Sequence, residues 1–346
     1  TRYFEGVVAE RLCEFESHLG HKELLDLRAA LFLFYTPAGM RKYYYNDKGY
    51  MAVDTPSRAS WICVNKPDTD DVRFLIEDEK VPPILLEYLE DKDERPRVER
   101  NGDWLMTIIR IPIPGPGTTL PYITIPMGII SHTGSRHVIT VCSHPNSLTD
   151  DFADHTRHNS ICVNALSDFV LRIFFSTAHW YLRYLELMSE YVIGTEKALE
   201  RSVENNDLKQ LMSLQKSLVY FNTSIKGNLM VLERIANIYG DDIDRELLED
   251  VEIEMRQADT TAGISNDIIK ATMDSYSSII SNNVNNVMKR MSALSIILIV
   301  PTFVASLYGM NVDILLSSPY AFWIILGIAA LLTTLAFLCL KHLRWL

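Results

Sequence analysis

Thiols are scarce in this chain and follow no pattern. There are five cysteines among 346 residues (Cys13, Cys63, Cys142, Cys162 and Cys339), with no C-x-x-C pair and no regular spacing. That argues against a disulfide framework or a cysteine zinc site and fits reduced, mostly buried cytoplasmic thiols. No G-x-x-x-x-G-K-S/T loop occurs, so no nucleotide cofactor is expected. No G-x-S-x-G setting frames the Ser, His and Asp residues, so no enzyme activity is expected. Basic charge is outweighed: 33 Lys and Arg face 44 Asp and Glu, a net charge of −11. Phosphate binding needs a basic face, so nucleic acid is excluded as a partner. The acidic balance suits a soluble part that meets cations, or solubility alone. The first residues carry no basic segment followed by an apolar one, so no signal peptide is expected.

Two further absences organise the chain. Proline is missing from 146 to 300, and charge is missing from 291 to 312 and again from 320 to 340. Each uncharged run reaches the roughly 20 residues that cross about 30 Å of hydrocarbon as a helix. Lys289 and Arg290 precede the first run, while Lys341, His342 and Arg344 follow the second. The stretch between them has no Lys or Arg. Basic residues in short loops stay in the cytoplasm. The expectation is a multi-pass protein of the cell membrane, in contact with lipid, with both chain ends cytoplasmic.

Residues 1–158 read as a cytoplasmic α/β domain, a mixed sheet flanked by helices. Strands are expected at 43–45, 61–64, 104–111, 122–130 and 137–142, with turn chemistry at Asn46-Asp47-Lys48-Gly49 and Asn101-Gly102-Asp103. Residues 68–91 are acidic and helical, with Pro82-Pro83 at a helix start. Residues 159–242 read as antiparallel helices, with turns at Asn205-Asn206-Asp207 and Tyr239-Gly240-Asp241-Asp242. A long stalk helix over 243–311 continues into a first span from about 291. A loop (312–319), a second span (320–341) and a basic tail (342–346) complete the chain. His155-Thr156-Arg157-His158, and the pair His18 and His21, read as surface polar loops rather than metal sites.

The first span carries a stripe. Asn285, Met288, Ser292, Ser295, Ile299, Thr302, Ser306 and Gly309 step by three or four and so share one helix face. Small and hydroxyl residues at this spacing also mark plain helix packing. Two spans cannot enclose a polar path, so a path along this stripe requires several copies around an axis. A wall of amide, hydroxyl and carbonyl oxygens suits Mg2+, which keeps its waters and prefers oxygen. The span holds no His or Cys for a softer metal. Met291 and Ile299 are apolar members that serve either as a dewetting constriction or as packing. Pro301 removes one helix hydrogen bond, so it either turns the Ile297 carbonyl to the path or kinks the helix.

Gly309-Met310-Asn311, preceded by Pro301-Thr302-Phe303-Val304-Ala305-Ser306-Leu307-Tyr308 and followed by a second terminal span, resembles the signature of the CorA family of divalent-cation transporters. Asp93-Glu94-Arg95-Pro96-Arg97-Val98-Glu99, Pro126-Met127-Gly128-Ile129-Ile130 and Lys216-Ser217-Leu218-Val219-Tyr220-Phe221 extend the resemblance over most of the chain. It implies a homopentameric funnel that conducts hydrated Mg2+, with Co2+ or Ni2+ as passengers, down the electrochemical gradient. A zinc-transporting branch of the family and a membrane-anchored sensor or enzyme are the alternatives. It also implies a selectivity site at Gly309, Met310 and Asn311, a polar ring at Asn285, and a gate at Met291 and Ile299. An acidic ring at Asp274 completes the implied path. A regulatory Mg2+ between subunits would use Glu249 or Asp250 on the stalk. Tyr88 stands where the family often has an acid, which leaves Glu87, Glu90 or Asp91 for the other side.

Overall fold

The computed structural model describes residues 40–115, 120–135, 137–199, 205–310, 320–343 and 345. His18, His21, Asn311 and the 312–319 connection lie outside the described residues. The chain divides into two compact units, one ending at Lys270 and the other spanning Ala271–Leu346.

The first unit is built on a seven-stranded mixed sheet. The strands are β1 (Met40–Asn46), β2 (Tyr50–Val53), β3 (Trp61–Asn65), β4 (Arg97–Asn101), β5 (Trp104–Pro114), β6 (Tyr122–His132) and β7 (Val138–Cys142), in the order β2-β1-β3-β7-β6-β5-β4. Only β3 and β7 pair in parallel, Ile62 opposite Ile139. The five expected strands are present. The two not expected, β2 and β4, are the edge strands. Polar or exposed residues such as Glu99, Arg100 and Ala52 blunt them against further pairing.

Both faces of the sheet are covered, so its central strands are buried along nearly their whole length. On one face lie α1 (Thr69–Glu77) and α2 (Pro83–Glu90). Leu75, Leu85 and Leu89 from these helices join Ile62, Val64, Met106, Ile108 and Ile139 in one apolar core. Asp68 starts α1 with a reciprocal capping box to Asp71. Pro83 opens α2, where its missing N–H costs nothing. Gly128 on β6 lets α2 come close, because a Cβ there would stand 2.5 Å from the Leu89 side chain.

The other face meets α3 (Leu148–His158), α4 (Leu166–Leu199) and α5 (Asn205–Tyr239). Alternation along β3 sends Trp61 and Cys63 to this side. Trp61 is fully buried, stacks on Tyr44 at 4.5 Å, meets Phe152 and Phe169 edge-on, and donates its indole N–H to Thr140 at 2.9 Å. The region expected as a polar loop around His155 and His158 is instead the last turn of α3; Phe152, Ala153 and Thr156 anchor its buried face. The turn expected at Asn205-Asn206-Asp207 is instead the start of α5. The turn after it is as expected, a short 3-10 segment that Gly240 enters with φ of 56°.

The polar anchor of this face is a residue of β5. Strand β4 pairs with β5 only as far as Ile108, so the backbone of Arg110 has no strand neighbour on that side. Asn228 of α5 takes the strand's place. Its Oδ1 accepts from the Arg110 N–H at 2.9 Å, and its Nδ2 donates to the Arg110 carbonyl at 2.8 Å. Tyr181 of α4 adds its hydroxyl to the same carbonyl at 2.9 Å. The Arg110 side chain is buried, with donors spent on Thr124 and on the Glu94 carbonyl, and burial pushes its pKa down. Asn228→Leu is expected to orphan the Arg110 N–H and lower stability by about 2 kcal/mol. Denaturation followed by tryptophan fluorescence reads this directly, and an unmoved midpoint would mean the strand edge does not need the amide.

Candidate functional site

The helix α6 runs without interruption from Arg245 to Tyr308, with Pro301 inside it. Asp244 caps it by accepting from the N–H groups of Glu246 and Leu247, both at 3.1 Å. The helix α7 covers Ala321–His342. Both are long and apolar enough to cross a membrane, and only 6% of either apolar window is buried.

The little burial there is has a pattern. Between 281 and 310 the residues that lose exposure are Lys289, Ala293, Ile297, Val300, Pro301 and Val304. On α7 they are Ile325, Ala329, Thr333, Ala336 and Leu340. Each set steps by three or four and so forms one face per helix. Ala293 and Leu340 are its fully buried points, at 0% and 6% exposure.

The predicted stripe lies elsewhere on the circumference. At about 100° per residue, Asn285, Met288, Ser292, Ser295, Ile299, Thr302 and Ser306 centre about 150° from the covered face of α6. All seven are exposed in the single chain, as are Met291, Gly309 and Met310. The stripe is therefore not packing within the protomer. Pro301, by contrast, sits half-buried on the flank of the covered face, which places it away from the stripe.

The hydroxyls of the stripe are oriented by the backbone. Ser295 donates to the Met291 carbonyl at 2.9 Å and Thr302 to the Leu298 carbonyl at 2.8 Å. With the proton spent, what each oxygen has left to offer is its lone pairs. Gly309 closes the helix by donating to the Ala305 carbonyl at 3.0 Å. Among the described residues, a Cβ on Gly309 would meet nothing closer than the Ala305 carbonyl at 3.5 Å.

The predicted carboxylates are dispersed. Asp274, Glu249 and Asp250 are exposed on α6, Glu90 is exposed at the end of α2, and Asp91 follows it. One Asp91 oxygen accepts from the Asp93 N–H at 2.9 Å. Among the described residues no three His, Cys, Asp or Glu side chains gather as a metal-binding group. Tyr88 has an occupant of its own: the Arg97 guanidinium lies over its ring, 4.5 Å from the centroid. The same guanidinium pairs with Glu94 and Glu99, so its charge is met by two carboxylates. The sequence contained Arg97 but gave no sign that it reaches Tyr88.

A mixed α/β domain whose chain passes through long helices into two apolar spans defines a membrane protein with a large domain outside the bilayer. Residues 57–342 match the family described as CorA-like Mg2+ transporter protein, and the chain belongs to that family. It is thus a divalent-cation transporter of the membrane, in a family of transporters rather than enzymes. Among its relatives, the cobalt/magnesium transport protein CorA of Methanocaldococcus jannaschii is 22% identical over 298 residues, 83% of this chain and 92% of the relative. Its counterpart in Thermotoga maritima is 26% identical over 172 residues, 48% of this chain and 49% of the relative. The complete structure of the M. jannaschii transporter superposes with a TM-score of 0.76 at 18% identity, covering 90% of this chain and 100% of that one. The ZntB cytoplasmic domain from Vibrio parahaemolyticus gives 0.55 at 13% identity, over 71% of this chain and 100% of that one, and shows the fold alone.

The covered face of α6 is tightly limited in volume. Ala293→Leu is expected to destabilise the helix pair by about 1–3 kcal/mol through overpacking. Leu294→Ala, one position away and exposed, is expected to cost far less. Thermal melting of both variants in detergent micelles compares them.

Proposed function

We propose that copies of this chain, five in the family's manner, surround an axis along the stripe of α6 and conduct hydrated Mg2+ into the cytoplasm. The observation that carries this reading is the division of the helix. One face loses exposure in the single chain, and the face rich in hydroxyl, amide and small residues is left uncovered on the far side. Both relatives are cobalt/magnesium transport proteins, which extends the cargo to Co2+.

The chemistry follows from what a hydrated cation presents. Mg2+ releases its waters reluctantly, so its outer surface is a shell of O–H donors. A wall that recognises this shell must accept. Ser295 and Thr302 have already given their protons to the backbone and keep acceptor lone pairs. Ser292 and Ser306 extend the wall, Asn311 selects at the outer end with Gly309 and Met310, and Asn285 accepts at the inner mouth. Met288 sits between inner positions of the same stripe. Met291 and Ile299 form rings that exclude water when the copies close together. The ring of Asp274 concentrates cations at the cytoplasmic end. The membrane potential supplies about 2.3 kcal/mol per charge per 100 mV, about twice that for a divalent ion, so no nucleotide is needed.

The domain limits set out from the sequence belong to this reading. Residues 1–242 form the cytoplasmic part, 243–311 the stalk and first span, 312–319 the outer connection, 320–341 the second span and 342–346 a cytoplasmic tail. Regulation closes the cycle. Internal Mg2+ bound between copies by Glu249 or Asp250, with Glu90 or Asp91 opposite, holds the closed state.

Asn311→Ala is expected to abolish Mg2+ flux into proteoliposomes while leaving the assembly intact, read by a Mg2+-sensitive dye. Flux at the wild-type rate in that variant overturns the selectivity role. Zn2+ flux in the absence of Mg2+ flux overturns the choice of cargo. Millimolar Mg2+ on the cytoplasmic face is expected to lower flux, and Asp250→Asn to weaken that inhibition.

A further inference from the structure

The second unit reverses the charge of the molecule. The whole chain carries −11, yet Ala271–Leu346 hold two carboxylate side chains, Asp274 and Asp313, against Lys289, Arg290, Lys341 and Arg344. The described basic residues are not scattered. Lys289 stands nineteen residues from Tyr308 and Lys341 twenty from Ala321, the helix ends that the connection joins, or about 28–30 Å along either helix. That is close to the thickness of the hydrocarbon core. At the joined ends the exposed side chains are aromatic, Tyr320, Phe322 and Trp323, the residues that favour a membrane–water interface. The basic groups therefore share one depth, at the opposite interface.

We propose that this basic end binds the headgroup of an anionic phospholipid, with Lys289 and Arg290 on α6 and Lys341 and His342 on α7 as its donors. Three observations make it more than an orientation signal. Lys289 is half-buried on the covered face of α6, at the same end of the pair as buried Leu340, so its stem is fixed. Among the described residues, none of the four basic side chains has a carboxylate within salt-bridge distance, so their charges are not spent inside the protein. The C-terminus of α7 would ordinarily repel an anion, but its last carbonyls are engaged by the chain itself. The Leu343 N–H bonds the Cys339 carbonyl at 3.0 Å, and the Trp345 N–H bonds the Leu340 carbonyl at 3.1 Å. The exposed Leu335, Leu338 and Leu343 give the acyl chains an apolar surface directly beside the phosphate site, which favours a lipid over a free anion.

The experiment is lipid retention by the delipidated full-length protein, read by native mass spectrometry. The probes are phosphatidylglycerol and phosphatidylcholine of equal chain length. The wild type is expected to bind phosphatidylglycerol about tenfold more tightly than phosphatidylcholine. Lys289→Gln combined with Lys341→Gln is expected to abolish the preference, and Lys289→Arg with Lys341→Arg to keep it. Should the double glutamine variant not fold, Arg290→Gln, which changes an exposed side chain, is expected to reduce the preference severalfold. Equal affinities in the wild type, or an undiminished preference in the neutralised variants, overturn the proposal. Displacement of phosphatidylglycerol by inorganic phosphate also overturns it and reassigns the site to a small anion. Retention is measured without ion flux, so its outcome is separate from that of the conduction reading.

Discussion

Hydrocarbon offers the backbone no water, so a chain that crosses it must satisfy its N–H and C=O groups within its own helix. The form of α6 follows from this constraint. The helix passes from its polar Asn- and Ser-rich part into the apolar part without a break, and its one lapse, at Pro301, falls on the flank of the face that loses exposure. The same constraint arranges the hydroxyls. Ser295 and Thr302 bond back onto the carbonyls four residues earlier, and this leaves a row of oxygens whose polarity is that of an acceptor. A polar stripe in a membrane helix is costly when it is unsatisfied. Here the cost is met locally, and the chemistry presented outward is uniform in sign.

The circumference of α6 is divided as a consequence. One face loses exposure within the chain, and the stripe points away from it. A pair of helices cannot close a path, so the function of the family depends on symmetry that one chain does not contain. The dispersed carboxylates repeat this point. Among the described residues, Glu249, Asp250, Glu90 and Asp91 join no metal-binding group. Among the described residues Gly309 has room for a Cβ.

Much of this was legible in the sequence because it rests on patterns that few other structures produce. Two uncharged runs of spanning length, flanked by basic residues, can hardly be soluble. The apolar β-strands announced themselves by alternation. The edge strands β2 and β4 did not, because edges are polar for the same reason that loops are. Helix α3 was missed for a related reason: its buried face is narrow, and the string of Asp, His and Arg around it reads as loop. No local signal could reveal that Asn228 completes β5, since the two partners are 118 residues apart. Nor could spacing decide between packing and path for the stripe of α6. Small residues serve both, and only the exposure of the stripe in the folded chain removed packing within the protomer. Tyr88 is the reverse case, a departure visible in the sequence whose partner, the guanidinium of Arg97, is visible only in three dimensions.

The Asn228 amide has one more consequence. It grips Arg110 by two hydrogen bonds acting in parallel, and Tyr181 from the next helix adds a third to the same peptide. Bonds loaded side by side share a force, whereas bonds loaded in series yield one at a time. A push along α5 is therefore transmitted to β5 with little slip, and α4 moves with them. Beyond that clamp the chain turns before α6 at Gly240, with a backbone angle that costs glycine nothing. The clamp thus ties the sheet to two helices at a single residue of β5.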